Sequence, residues 1–180
     1  GTEFTEPLSR NRSAAIGMAS SLRYHRAALS PVAGLMTTSQ TDTNALRTAR
    51  DALAAYATGN FDGFLKLLAD RVEYNLYLDE SIVPFAGTAE GKFDFVTRLA
   101  DMHRYFEYIL FRPTEPRAHE DGFHASVEFV YRHRATGEIL DGRFRLVIQV
   151  ANGLVYRIRE FHDAERIQAF FRLVASETAP

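Results

Sequence analysis

Glu160, His162 and Asp163 fall together in the run Arg159-Glu160-Phe161-His162-Asp163. In an extended strand the side chains alternate, so Glu160 and His162 share one face with Ile158 and Tyr156, while Arg157, Arg159 and Phe161 take the other. A carboxylate on an apolar sheet face is partly desolvated, the condition under which a carboxyl group works as a general acid or base near neutral pH. The same carboxylate would be purely structural if an arginine paired with it across the sheet. His162 suits a proton shuttle or a packed ring at a pocket rim. Asp163 stands where the final helical pattern begins, and as its N-cap it would contribute about 1 kcal/mol. Tyr74 lies on the inward face of an earlier strand with Val72 and Leu76, where its hydroxyl could donate to an oxyanion or simply end a core side chain.

Other chemistries find no support. His103, His119, His124, His133 and His162 lack a metal-ligand spacing. His103 suits the C-terminal dipole of its helix. There is no glycine-rich phosphate loop and no nucleophile elbow. The 180 residues contain no cysteine, which excludes disulfide and thiolate chemistry. No cofactor and no metal are expected. The formal charge of −2 gives no reason to expect nucleic acid or an anionic membrane surface as partner, and no apolar run reaches the length of a membrane span. The expected location is the cytoplasm. Fourteen Phe and eight Tyr without Trp imply an aromatic interior, fit for a core or for an apolar ligand.

Helices and strands must then position these groups. Leu46, Ala49, Leu53 and Tyr56 recur at helical spacing from Asp42, and Gly59 stands where a left-handed stop belongs. Asn60 caps a short helix carrying Phe61, Phe64, Leu65 and Leu68. Arg71 to Leu78 alternates as a strand with one wet face. Asp79 to Gly87, with Pro84 and Gly87, reads as a loop able to act as a lid. Glu90 to His103 forms a third helix with Phe95, Val96, Leu99 and Met102 inward. Strands follow at Tyr105 to Arg112, Phe123 to His133, Leu140 to Val150 and Leu154 to His162. Their turns are at Asp121-Gly122, Ala135-Thr136-Gly137 and Asn152-Gly153, the last a type I′ signal. A final helix runs from Asp163 to Ala175, and residues 176–180 form a short tail. Gly1-Thr2-Glu3-Phe4 reads as a cloning scar and residues 5–41 as an N-terminal tail, with a weak helical pattern at Ser13 to Leu22.

The globular part, Asp42 to about Val174, resembles the SnoaL-like, ketosteroid-isomerase-like branch of the nuclear-transport-factor-2-like superfamily. Ala54 to Tyr74 is similar to the family's paired helices leading into a strand. Pro84 to Leu99 resembles its P-x-x-G-x-x-x-G loop entering the third helix. Gly153 to Asp163 resembles its carboxy-terminal G-x-I-x-x-x-R-E-[YF]-x-D run. The resemblance implies an α+β fold: a cone-shaped, curved, mixed but mostly antiparallel sheet around three helices, with a C-terminal helix. It also implies a homodimer through the convex sheet face. Phenazine-biosynthesis-like and limonene-epoxide-hydrolase-like relatives place a working carboxylate at the position of Glu160. Epoxide-hydrolase-like members also carry an Arg and an Asp two apart where this chain reads Val127-Glu128-Phe129, so that chemistry is not expected.

The fold hosts several reactions and some non-catalytic binders. The first expectation is a cofactor-free isomerase, cyclase or dehydratase acting on an apolar or polycyclic molecule, with Glu160, Tyr74 and His162 as catalytic residues. Leu76, Phe85, Phe64, Val127, Phe129, Ile158 and Leu99 are the expected pocket lining. A non-catalytic small-ligand binder would instead keep Glu160 ion-paired. A dimeric interaction module would have a filled cone, so the cavity volume separates it from the other two. On the outer face, Asp141, Arg143, Arg145, Val147 and Gln149 are expected with Glu128, Arg132, Arg157 and Arg159.

Overall fold

The computed structural model describes residues 32–177, and the expected scar, the earlier part of the tail and Ser13 to Leu22 lie outside them. Its frame is a seven-stranded sheet in which β2 (Gly87–Glu90), β1 (Leu68–Leu76), β7 (Leu154–Phe161), β6 (Ile139–Ala151), β5 (Gly122–His133) and β3 (Phe106–Pro113) lie side by side in that order, with β4 (Arg117–His119) paired to β5. The helix α1 (Val32–Ala57) begins ten residues before the expected Asp42. The helical backbone therefore claims the last part of the presumed tail. Gly59, at φ +71°, stops the helical run where expected. Asn60 then caps α2 (Phe61–Lys66), its side chain accepting from the Gly63 N–H at 3.0 Å.

The strand β1 (Leu68–Leu76) starts three residues before the sequence pattern suggested, and Val72, Tyr74 and Leu76 point into the core as expected. The segment between Asp79 and Gly87 is not an open lid. Val83, Phe85 and Ala86 are buried, and Arg98 donates to the Ala86 carbonyl at 2.5 Å. This segment leads into the short strand β2 (Gly87–Glu90), which the sequence pattern did not reveal, antiparallel to β1. The helix α3 (Gly91–Tyr105) buries Phe95, Leu99 and Met102, but Val96 is exposed. The buried stripe runs 95, 99, 102, a three-to-four spacing that leaves 96 beside it.

The remaining strands are β3 (Phe106–Pro113), β4 (Arg117–His119), β5 (Gly122–His133), β6 (Ile139–Ala151) and β7 (Leu154–Phe161). They pair antiparallel except β1 with β7, which is parallel. The β6–β7 hairpin turns at Asn152 (φ 52°) and Gly153 (φ 75°), both positive as a type I′ turn requires. At the start of β5, Gly122 has φ +133°, and a Cβ there would lie 2.6 Å from the Ile148 carbonyl oxygen. Only glycine fits that approach.

Bulges correct the simple alternation. Between Gln149 and Val150 the register shifts, so that Val155 pairs with Val150 and Arg157 with Gln149. Tyr156 is the extra residue. It is exposed, and Val155 takes the inward place that period two assigned to Tyr156. The alternation resumes beyond it, with Ile158 buried inward and Glu160 two positions further. The helix α4 (Ala164–Glu177) then lays Ile167, Phe170, Phe171 and Val174 against the aromatic interior. Asp163 caps it, its carboxylate accepting from the Arg166 N–H at 3.1 Å. The result is the mixed, curved and unclosed sheet of an α+β fold, with α1, α2 and α3 against its inner face.

Candidate functional site

The central strand β7 carries the site. Glu160 pairs in register with Leu146 of β6 on one side and Leu76 of β1 on the other. Its carboxylate therefore rises from the middle of the inner face, among apolar side chains, and is only 14% exposed. Its hydrogen-bond partner is His162, whose Nε2 lies 3.0 Å from Oε2. The cross-sheet arginine considered above is not the partner: Arg157 and Arg159 point outward, to Glu73 and Asp121.

His162 is held by packing rather than by a second hydrogen bond. Its ring stacks on Phe144, centroids 4.2 Å apart, and meets Phe129 edge-on at 5.8 Å. Nδ1 is buried and has no hydrogen-bond partner among the described residues.

Four tyrosines surround this pair. Tyr74 is buried beneath Phe95 and its hydroxyl lies 4.0 Å from the Met102 sulfur. The Tyr56 hydroxyl is 3.4 Å from that of Tyr108, and the Tyr108 ring stacks on Tyr131 at 4.2 Å. Burial pushes all four phenols above their ordinary pKa, and the Glu160 carboxylate adds to the rise in each. All four thus stay protonated O–H groups at ordinary pH, and each feels the charge of Glu160. Such phenols can donate to a developing oxyanion. Tyr56, Tyr108 and Tyr131 were not singled out as site residues from sequence. The available signal was their place on inward positions of a helix stripe and two strands; what it lacked was that all three converge on β7.

The inner face leaves two separate small cavities. The first, of about 30 Å³, touches Glu160, Tyr56, Phe64, Leu99, Phe111 and Ile158 among others. The second, of about 20 Å³, touches His162, Tyr131, Leu76, Phe85, Phe129 and Phe171 among others. Each holds one or two water-sized groups. The expected lining is therefore divided: Phe64, Leu99 and Ile158 line the first cavity, and Leu76, Phe85 and Phe129 the second. Val127 is fully buried and lines neither, nor does Tyr74. Neither of these two cavities has space for a polycycle.

The remaining candidates lie elsewhere. His103 sits in the last turn of α3, packed between Phe61 and Tyr108. Burial, with nearby Arg134 adding, lowers its pKa from the ordinary 6.5. Burial therefore outweighs the helix dipole that its position suggested. Asp79 folds back on its own loop, accepting from Ser81. Among the described residues no group of side chains could hold a metal ion, and no helix is long and apolar enough to cross a membrane.

The model of the SnoaL-like domain matches residues 49–158. Among solved structures, an NTF2-like protein of Burkholderia xenovorans is 22% identical, with 71% of this chain and 95% of that one covered at a TM-score of 0.58. A candidate SnoaL-like polyketide cyclase of Mesorhizobium loti is 18% identical, covering 64% and 97% at 0.56. TerC, co-crystallised with polyporic acid, is 15% identical, covering 72% and 98% at 0.57. At these identities the likeness speaks for the fold. No curated protein matches the chain.

Proposed function

This chain belongs to the SnoaL-like domain family, and we propose that its cone binds a small apolar molecule on which Glu160 performs general acid/base proton transfer. The observation that carries this reading is the Glu160 carboxylate itself. It is nearly buried on an apolar wall, hydrogen-bonded to a histidine rather than to an arginine, and it borders a cavity. A structural carboxylate in such a place would call for an arginine to offset its desolvation. As a base, Glu160 would take a proton from a carbon next to a carbonyl. The hydroxyl of Tyr56, a residue that lines the same cavity, would donate to the resulting enolate oxygen. Returning the proton at another position isomerises the ligand; loss of a hydroxide or attack on a second carbonyl gives dehydration or cyclisation. Tyr74 then acts from behind the wall, through the field it shares with Glu160. The cyclase-named structure of Mesorhizobium loti and the TerC–polyporic acid complex, both similar to this chain in fold, support a small-molecule site but do not choose among these reactions.

The test is hydrogen–deuterium exchange at the acidic carbon of steroid-like and polyketide-like ketones in D₂O, followed by NMR. The protein should accelerate exchange of at least one ketone, and Glu160→Gln should lower that rate by roughly 10²- to 10⁴-fold. Equal rates for the two proteins would remove Glu160 from the chemistry.

One observation favours a second reading, a dimeric interaction module. The cavities are small, and the outer face carries a stack in which Arg145 lies 4.3 Å over Phe161 and Phe161 lies 4.9 Å from Tyr77. Val147, on that same outer side, is wholly buried. A sheet-to-sheet homodimer would cover this face. It is compatible with a working cone, and sedimentation at micromolar concentration decides it: a monomer there would discard the dimer.

A further inference from the structure

The two cavities share no lining residue, yet two polar links join them. Glu160 borders the first and its hydrogen-bonded partner His162 the second. Tyr56 borders the first, and its phenol contacts that of Tyr108, which hydrogen-bonds in turn to Tyr131 in the second. The second cavity is otherwise apolar, walled by Leu76, Phe85, Leu140, Ile167 and Phe171 among others. His162, whose side chain is only 8% exposed, lines this cavity and carries an atom left unsatisfied: Nδ1 is buried and has no hydrogen-bond partner among the described residues.

The nature of that atom follows from its ring. An ionised carboxylate can only accept, so with Glu160 ionised and the imidazole neutral the bond between them puts the ring hydrogen on Nε2. Nδ1 is then a bare lone pair, an acceptor in want of a donor. A buried acceptor left without a partner costs stability, and native folds seldom keep one without a use. A water alone serves poorly here, since it needs two to four polar partners.

We propose that the second cavity is a hydroxyl subsite: the ligand of the cone presents an O–H group, carried on an apolar skeleton, to Nδ1 of His162. This deepens the reading of the cone as a ligand site and rests on it. The substrate class becomes hydroxylated apolar molecules, phenols and ring alcohols, rather than plain hydrocarbons or ketones. The donor at Nδ1 also holds the Nε2–H tautomer, which keeps Glu160 an acceptor and hence ready to take a proton. The wall facing the strands comes from α4, through Ile167 and Phe171. That helix is joined to the body by its apolar side chains and the Arg166–Asp141 pair. A skeleton larger than 20 Å³ enters by displacing this wall rather than the strands.

The matched probes are p-cresol and toluene, which differ by one hydroxyl. In ¹⁵N NMR of the full chain with labelled histidine, p-cresol should move the His162 Nδ1 resonance upfield, as a lone-pair nitrogen does on accepting a hydrogen bond, and toluene should not. The affinity for p-cresol should exceed that for toluene by about tenfold, and His162→Phe, which keeps a ring against Phe144, should erase the difference. Phe171→Ala, which widens the cavity, should keep the preference. An unmoved Nδ1 resonance, equal affinities, loss of both probes together in His162→Phe, or no saturable binding to either wild type or Phe171→Ala would each overturn the proposal. Its failure is separable from that of the proposed reaction: deuterium exchange that depends on Glu160 with no hydroxyl preference would leave the base and remove the subsite, and the converse result would do the reverse.

Discussion

The two faces of the sheet are made by alternate residues of the same strands, and they treat charge in opposite ways. On the outer face carboxylates meet arginines: Glu73 with Arg157, Asp121 with Arg159, Glu128 with Arg112, Glu107 with Arg132. These pairs are mostly half exposed, and solvent screens them. On the inner face Glu160 stands among tyrosines and phenylalanines and meets His162 and the Tyr74 phenol rather than an arginine. Outside, a mispaired charge costs little because water replaces the partner. Inside, water is nearly absent, so a lone carboxylate is retained against its desolvation cost. Stability is easily given up where function gains from it. The comparison teaches that net charge and composition say little about this protein, because the position of one carboxylate relative to the sheet decides its chemistry.

Four substitutions sharpen or break that contrast. The largest effect is expected inside, where Phe95 packs against Tyr74 and Phe64. Phe95→Ala should cost about 3–5 kcal/mol in urea unfolding, and a loss below about 1 kcal/mol would mean that the inner face is loosely filled. At the border of the two regions, Asp163→Ala removes the cap of α4 and should cost about 1 kcal/mol. Faster hydrogen exchange confined to residues 164–177 would show that the loss is local; uniform exchange would contradict α4 as a separately displaceable wall. Outside, Arg157→Ala leaves Glu73 in water and should cost only about 0.2–1 kcal/mol, less at high salt. A larger, salt-independent loss would mean that the outer face is desolvated, as in a dimer.

The smallest effect is a pH slope. His103 is half-buried and its folded pKa lies below the unfolded 6.5. Its neutral form is thus preferred in the fold, and the unfolded chain binds more protons as pH falls. Its contribution is fully present above pH 6.5 and is lost as pH drops from there through the folded value. Unfolding midpoints at pH 7.5 and 5.5 should therefore fall further in the wild type than in His103→Phe. Parallel falls would assign the acid sensitivity to other groups.

Much of this was legible along the chain. Gly59 and Asn60 mark a helix break because only certain backbones accept a positive φ and only certain side chains cap. Asn152-Gly153 marks a hairpin for the same local reason, and Asp163 the start of α4. Val72, Tyr74, Leu76, Ile158 and Glu160 fall on the inner face because alternation is a property of any extended strand. The run from Gly153 to Asp163, which resembles the SnoaL-like carboxy-terminal run, carries Glu160 within it. Local signals were weaker where tertiary partners decide. The strands β2 and β4 span four and three residues, too short for a period to show, and exist because β1 and β5 offer them edges. Tyr156 left the inner face because a bulge against β6 spent one residue of β7.

The sequence by itself determined the order of the helices and long strands, most of the apolar faces and the central carboxylate, since these depend on backbone geometry and on side-chain chemistry that neighbours carry with them. The tertiary structure alone decided that Glu160 bonds His162 and not an arginine, that Tyr56, Tyr108 and Tyr131 from three elements meet around it, and that the cone is divided into two cavities. Those facts depend on how side chains from distant parts of the chain fill a shared volume, and that filling has no period a sequence can display.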